Sequence, residues 1–394
     1  MVIKKVDASG FIARRLRFSG RLVTVSVAVS FMTVVVALGV TSGFRSSLRE
    51  GISQITGDIR LGCFGEGSTD VGTPYPFEDG IAGRIRELAE VSSAEPVIVR
   101  PGIIKKGDVI QGVMFKGISR DGELDSLGVR LPSDLALRLG VSAGDRLTAY
   151  FAGEKVRARV FEVRGTYSGI LSGNDNLVVY TSLEDTQTLC GWDSTMASAL
   201  EIRLKGKFLS PEAIEEASSH IGSLAYEAPP AENGRPLVST SSVQLYPQIF
   251  SWLELIDMNV LLVLGLMIAV AGFNMVSGLL IVLFRNISTI GTLKTLGMSN
   301  GSIGKVFLRL SSKVVLKGMV AGNILGVAVC LLQKHTGLLT LDPENYFITV
   351  VPITLDWGKI LLVDAASYLL IMLILLLPAV FISGVDPARS VRVQ

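Results

Sequence analysis

Apolar residues gather in four runs along the chain and alternate with polar ones elsewhere. Residues 22–44 hold 23 positions without a charge, and residues 258–284 hold 27. Residues 318–333 hold 16, extended backwards by Val314, Val315 and Leu316, and residues 365–385 hold 21, extended by 360–363. An α-helix rises about 1.5 Å per residue, so roughly 20 residues cross a ~30 Å hydrocarbon core. The first, second and fourth runs meet that length directly, and the third meets it if Lys317 snorkels to the headgroups. The first run is longer than the roughly 7–15 residues of a signal-peptide core and reads as an uncleaved anchor.

Between the first two runs lie 213 residues, Arg45 to Asp257, of mixed polarity and rich in Gly and Pro. Alternating stretches predict strands at 96–100, 109–117, 146–150, 156–163, 176–180 and 199–204. Helical periodicity falls at 78–90, 132–139 and 211–217. The pattern predicts a membrane α-helical protein with four transmembrane helices and a large α+β extracytoplasmic domain, of two subdomains, between helices 1 and 2. The expected segments are a cytoplasmic amphipathic stretch at 1–21, spans at 22–44, 258–284, 305–334 and 360–384, and the outer domain at 45–257. A cytoplasmic link at 285–304, an outer loop at 335–359 and a cytoplasmic tail at 385–394 complete the chain.

Charge changes the picture only once it is divided by segment. The whole chain of 394 residues has 37 basic and 35 acidic residues, a formal net charge of +2. That balance does not fit a nucleic-acid binder, which needs a clustered basic excess. Residues 1–21, 285–317 and the tail together carry 14 basic groups against two acidic ones, whereas residues 45–257 carry 21 against 29. Basic segments stay on the cytoplasmic side of the membrane. The expected topology therefore has both termini in the cytoplasm and the large domain outside the membrane. Lys305, Arg309, Lys313 and Lys317 recur every four residues, one face of a helix base resting on anionic headgroups. The segment 11–18 reads as a short basic amphipathic stretch on the inner surface.

Catalytic chemistry is scarce. The two histidines, His220 and His335, lie far apart in sequence, and H-E-x-x-H does not occur. Gly206, Gly304 and Gly358 each precede a lysine, but Phe208, Val306 and Ile360 follow, so none forms a G-K-[ST] phosphate loop. No cofactor is expected on this chain, no metal site is expected, and any ATP and Mg would belong to another subunit. Cys63 and Cys190 both fall in the outer region, where disulfides form, while Cys330 reads as packing inside the third span. Asp364 reads as an acid near the outer end of the last span. Asn274 lies deep enough in the second span to need a partner between helices. Gly318, Gly322 and Gly326 form a small-residue stripe suited to close helix packing.

The link after the second span is the most distinctive stretch. Ile287, Ile290, Leu293 and Leu296 recur at helical spacing, Gly297 stops the helix, and Ser299 and Ser302 cap the next one. A short cytoplasmic helix held between two spans is either a turn or a docking knob for a cytoplasmic partner.

Residues 290–303, I-G-T-L-K-T-L-G-M-S-N-G-S-I, resemble the coupling segment of the FtsX-like permease family, which includes lipoprotein-releasing, macrolide-exporter and cell-division permeases. The similarity extends to Trp252, Asn259, Ala271, Phe273, Asn274 and Ser277, to Phe11-Ile12-Ala13-Arg14-Arg15-Leu16, and to the ending Val385-Asp386-Pro387-Ala388-Arg389. In the outer region Gly117-Ile118 and the stretches 135–145 and 165–185 are similar to the lipoprotein-releasing branch. The chain departs from the family at Ser288 and Thr289, where many members place a glutamate, at Met298, where Ala is common, and at 172–175, which lacks an acidic-aromatic run.

The resemblance implies a type VII ABC permease fold, pairing with a second permease copy, and two cytoplasmic ATPase subunits. It implies that Ile290, Gly291, Leu293, Lys294, Leu296, Gly297, Met298 and Ser299 form the ATPase-coupling surface. It also implies that acylated lipoproteins are lifted from the membrane lipids and passed to a periplasmic carrier. Export of small molecules or peptides with a periplasmic adaptor, and activation of a cell-wall hydrolase, are the alternative functions within the resemblance.

Overall fold

The computed structural model describes residues 21–65, 71–77, 80–107, 109–119, 124, 126–152, 156–167, 177–342 and 348–376. The amphipathic stretch 11–18, residues 172–175 and the tail 385–394 lie outside the described residues. The chain divides into two compact units: residues 46–253 with 341–349, and the remainder.

The unit of residues 46–253 contains a mixed β-structure built on one long strand. In chain order its elements are β1 (Ile59–Cys63), α2 (Ile81–Arg86), β2 (Val91–Lys106), β3 (Val109–Ile118), β4 (Gly128–Pro132), α3 (Ser133–Leu139), β5 (Arg146–Phe151), β6 (Arg157–Tyr167), β7 (Val178–Ser182), α4 (Leu183–Cys190), β8 (Ala199–Leu204), α5 (Pro211–Tyr226), β9 (Leu237–Ser241) and α6 (Ser242–Leu245). The strand order is β3-β7-β4-β6-β5-β2-β8-β1-β9, and β3 also pairs with β2. That extra pairing closes β3, β7, β4, β6, β5 and β2 into a ring, a small barrel without open edges on its circuit. Strands β2, β8, β1 and β9 form an antiparallel sheet beside it.

The 16-residue β2 serves both halves. Val91 to Val97 pair with β8, and Ile98 to Lys106 pair with β3 across a hairpin that turns at Gly107, φ 60°. The predicted strand at 96–100 is thus the middle of a strand three times longer. Pro96 and Pro101 make it look broken in sequence, since proline removes a ladder donor.

Each half has its own core. The barrel encloses Phe115, Phe151 and Phe161, with Phe115 4.8 Å from Phe151 and 5.3 Å from Phe161 between ring centroids, ringed by Val129, Leu131, Leu135 and Leu147. The sheet packs Ile59, Leu61, Leu200 and Ile202 against α2 and α5. Helix α5 forms because Ser210 caps it, Pro211 occupies its first turn, and Ile214, Ala217, Ile221 and Ala225 recur on one buried face. Helix α4 starts where Ser182 accepts from the Asp185 N–H, and it ends at Gly191, φ 74°. At Gly117 a Cβ would lie 2.0 Å from Thr186 Oγ1, so glycine on β3 is what lets α4 sit against the barrel.

Among the described residues, four helices are long and apolar enough to cross a membrane: α1 (Arg21–Thr56), α7 (Pro247–Arg285), α9 (Asn300–Thr336) and α10 (Trp357–Ile374). A short helix, α8 (Ile287–Thr295), joins α7 to α9. The first apolar run, 22–44, lies within a helix that continues for another twelve residues to Thr56 without interruption. The charges of that extension, Arg45, Arg49 and Glu50, do not break helical geometry, so hydropathy marks only its apolar part. Val27 and Phe31 of α1 share one buried cluster with Met275 and Leu279 of α7, Phe307, Leu310 and Val315 of α9, and Ile371 of α10.

Candidate functional site

The segment between α7 and α9 turns twice within fifteen residues. Asn286 Nδ2 donates to Val282 O at 2.8 Å, which ties off the end of α7. Helix α8 follows, Gly297 takes φ 85° after it, and Ser299 caps α9 by accepting from the Ser302 N–H at 3.4 Å. The residues of this segment singled out in sequence divide into a buried set and an exposed set. Ile290 is 2% exposed and Gly291 is buried. Ile290, Leu293 and Met298 line a narrow crevice with Ile303, Val306 and Phe307 of α9. Leu296 is 78% exposed, and Gly297 and Ser299 are exposed beside it, with Lys294 half-buried. The buried set packs α8 against the start of α9, and the exposed set leaves one large apolar side chain, Leu296, in the open at the end of α8.

Lys305, Arg309, Lys313 and Lys317 all lie exposed along one side of α9, while Ile303, Val306, Phe307, Leu310 and Val314 are buried on the other. The four-residue spacing and the apolar spacing are two sides of the same helical period.

The glycine stripe of α9 lies against α1. A Cβ on Gly318 would meet Val27 Cγ1 at 2.7 Å, one on Gly322 would meet Ala28 O at 2.4 Å, and one on Gly326 would meet Val35 Cβ at 2.9 Å. The helix backbones approach more closely there than any side chain allows. A second pair, Gly39 and Gly43 of α1, shows no stripe long enough to stand out in sequence. A Cβ on Gly43 would lie 2.1 Å from Pro352 O, and Thr354 N donates to Gly39 O at 3.1 Å. Cys330 is fully buried and lies 3.1 Å from the position of a Cβ on Gly39.

Polar pairs link the apolar helices. Asn274 donates from Nδ2 to Ser26 Oγ. Asn323 donates from Nδ2 to Asp364 Oδ2, and Ser312 and Tyr368 share a hydroxyl contact of 2.8 Å. Asp364 is 5% exposed. The sequence reading of Asp364 as an interfacial acid therefore gives way to a buried helix–helix contact, because Asn323 lies across from it on α9. Arg45 and Asp257 form an ion pair between α1 and α7.

In the unit of residues 46–253, Cys63 and Cys190 are free thiols. Cys63 is buried in the sheet core, and Arg100 holds Cys190 Sγ at 3.1 Å. His220 is paired through Nδ1 with Glu90 at 2.8 Å, on the surface.

The strongest polar cluster of that unit was not anticipated. Lys116 of β3 pairs with Glu201 of β8 at 2.6 Å, with side chains 4% and 11% exposed. Burial pushes the Lys116 ammonium below its usual range, against the attraction of Glu201. Burial likewise pushes the Tyr180 phenol up to about 12, aided by the charge of Glu201. Removing one partner of such a buried pair costs about 3–5 kcal/mol, since the other charge is left without compensation. A lysine inside the apolar stretch Val113 to Ile118 was the one sequence signal for this cluster. Among the described residues, no group of three or more His, Cys, Asp or Glu is arranged to hold a metal.

Residues 261–387 match the family described as FtsX-like permease C-terminal. The chain is 23% identical to the lipoprotein-releasing system transmembrane protein LolC of Neisseria meningitidis serogroup B, over 93% of this chain and 92% of that protein. The LolC of Xylella fastidiosa gives the same identity and coverage, and the LolE of Haemophilus influenzae is 20% identical over the same shares. Among solved structures, the periplasmic region of MacB from Actinobacillus actinomycetemcomitans covers 50% of this chain and 95% of its own, at 14% identity and a TM-score of 0.30. The extracellular domain of the ABC-type transporter YknZ from Gram-positive bacteria covers 46% of this chain and 99% of its own, at 12% identity and a TM-score of 0.30. The likeness to FtsX-like permeases thus covers residues 261–387, which include residues 290–303, most of the second span and Asp386-Pro387, and the likeness to the lipoprotein-releasing proteins extends over 93% of the chain.

Proposed function

We propose that this FtsX-like permease chain is a membrane subunit of a type VII, mechanotransmitting ABC complex that releases lipoproteins from the inner membrane to a periplasmic carrier. The observation that carries the reading is the alignment with LolC proteins over 93% of this chain, outer region included. ATP is hydrolysed on a separate cytoplasmic subunit, and a second permease copy, identical or related, completes the membrane part.

The physics of the cargo makes an energy source necessary. Each CH₂ withdrawn from lipid costs roughly 0.8 kcal/mol, so freeing several acyl chains costs tens of kcal/mol unless an apolar surface receives them. In this reading the exposed Leu296 and its neighbours Gly297 and Ser299 dock on the ATPase. Ile290, Leu293 and Met298 pass the load to α9, and the glycine stripe passes it on to α1. Asn274 on α7 ties that helix to α1 through Ser26. The basic base of α9 rests on anionic headgroups, with both termini cytoplasmic and residues 46–253 outside.

Depleting the chain is expected to leave lipoproteins in the inner membrane, read by density fractionation of membranes and blotting for an acylated marker. Normal sorting accompanied by sensitivity to drugs or peptides would replace this reading with the export alternative. The topology has its own check. Tyr226→Cys, at a site 88% exposed on α5, is expected to react with a membrane-impermeant maleimide in intact spheroplasts. Asn300→Cys is expected to react only after permeabilisation, and the reverse pattern would invert the orientation.

A further inference from the structure

The last turn of α1 is received by side chains from the barrel and from the sheet. The final carbonyls of a helix have no partners within it. Here Lys116 Nζ donates to Gln54 O at 3.1 Å and to Ile55 O at 2.8 Å. The Tyr180 hydroxyl of β7 donates to Gln54 O at 3.0 Å, and Arg203 of β8 reaches Ser53 O at 3.4 Å. A cation at a helix C-terminus is electrostatically favoured. The third partner of the Lys116 ammonium is Glu201, so its three donors are all engaged. One buried ammonium thus touches three elements: the end of α1, barrel strand β3 and sheet strand β8.

The surroundings of this node are open. A cleft of about 460 Å³ lies over it, with Arg130 and Tyr167 of the barrel on one wall and Glu95 and Arg203 of the sheet on the other. The two halves are therefore not packed solid against each other at this level, and β2, common to both, runs past the cleft through Glu95 and Val97.

We propose that Lys116 is the positioning residue through which a displacement of α1 is delivered to both halves of the outer domain together. The proposal rests on the permease reading above. A shift of α1 carries the Gln54 and Ile55 carbonyls with it. The ammonium follows, because leaving it buried without acceptors is costly, and Glu201 follows the ammonium for the same reason. The cleft gives the walls room to change separation while β2 keeps them joined. The role of Lys116 is to keep α1, β3 and β8 in fixed register.

The test uses the full-length chain assembled with its ATPase in lipid nanodiscs. Two variants are compared with the wild type: Lys116→Met combined with Glu201→Gln, which removes both charges, and Tyr180→Phe, which removes one hydroxyl donor and keeps the ring. Amide hydrogen exchange over residues 49–58 and 199–204 is measured with and without ATP, beside ATP hydrolysis and release of an acylated lipoprotein. The expected result is that ATP changes exchange in both segments of the wild type. In the double variant the change at 199–204 is lost, hydrolysis stays within about twofold, and release falls by about tenfold or more. Tyr180→Phe is expected to fold normally and to show the same uncoupling in weaker form, so it carries the test if the double variant fails to fold. A nucleotide-dependent change at 199–204 of wild-type size in the variants would overturn the proposal. A wild-type complex that shows the exchange change but releases no lipoprotein would overturn the cargo assignment and leave the role of Lys116 standing.

Discussion

Leu296→Asp is expected to abolish association with the cytoplasmic ATPase while leaving the permease itself folded. Leu296 is 78% exposed, and its removal takes no contact from the buried helix cluster. Burying a leucine at an interface contributes roughly 1.5–3 kcal/mol, and placing a carboxylate in an apolar socket adds a desolvation cost of several kcal/mol. The combined loss corresponds to an affinity drop of about a hundredfold or more at each site. Affinity purification of the tagged permease from membranes reads this directly. Co-purifying ATPase should disappear, while the thermal unfolding of the permease stays at its wild-type temperature. Leu293→Asp is a useful contrast, because Leu293 lines the crevice against Ile303 and Phe307. That substitution is expected to lower permease stability as well. Full ATPase recovery with Leu296→Asp would remove α8 from the docking surface.

Gly322→Leu is expected to have the largest effect on stability. A Cβ at 322 would lie 2.4 Å from Ala28 O and 2.8 Å from Phe31 Cβ, and a backbone carbonyl of α1 cannot swing away as a flexible side chain would. Overpacking costs typically 1–3 kcal/mol where a core relaxes, and more where the neighbour is backbone. Here the two helices must separate, which also strips contacts from Gly318 and Gly326 on the same stripe. The measurement is the yield of detergent-extracted, monodisperse protein and its unfolding midpoint. Gly301→Leu, on an exposed turn of the same helix with open space at its Cβ, should behave as wild type and serves as the control. Equal stability of the two variants would mean that α1 and α9 are not held at the distance seen here.

Much of the helical architecture was legible because hydropathy over about 20 residues is a one-dimensional property. Ser299 and Gly297 were legible for a similar reason: caps act over three or four neighbouring residues. What lay hidden depends on distant chain segments. Asp364 looked interfacial until Asn323, 41 residues away, supplied its partner. Lys116 fell unremarked within the strand expected at 109–117, and only the folding of α1 and β8 around it turns it into a buried node. The long β2 was hidden by Pro96 and Pro101, whose missing donors fall where the strand changes partners, so neither interrupts a needed bond. The barrel itself was invisible, since closure requires β3 to meet both β2 and the parallel β7, and no local pattern encodes a parallel neighbour.

Because β2 is a full member of both the ring and the open sheet, neither half can lose its structure while the other keeps all of its own. Melting the barrel frees Ile98 to Lys106, which loosens the strand that Val91 to Val97 present to β8, and the reverse holds as well. Residues 46–253 are therefore expected to unfold as one cooperative unit. Exchange of either half between related permeases would have to carry β2 whole, and would have to match its partners on both sides at once.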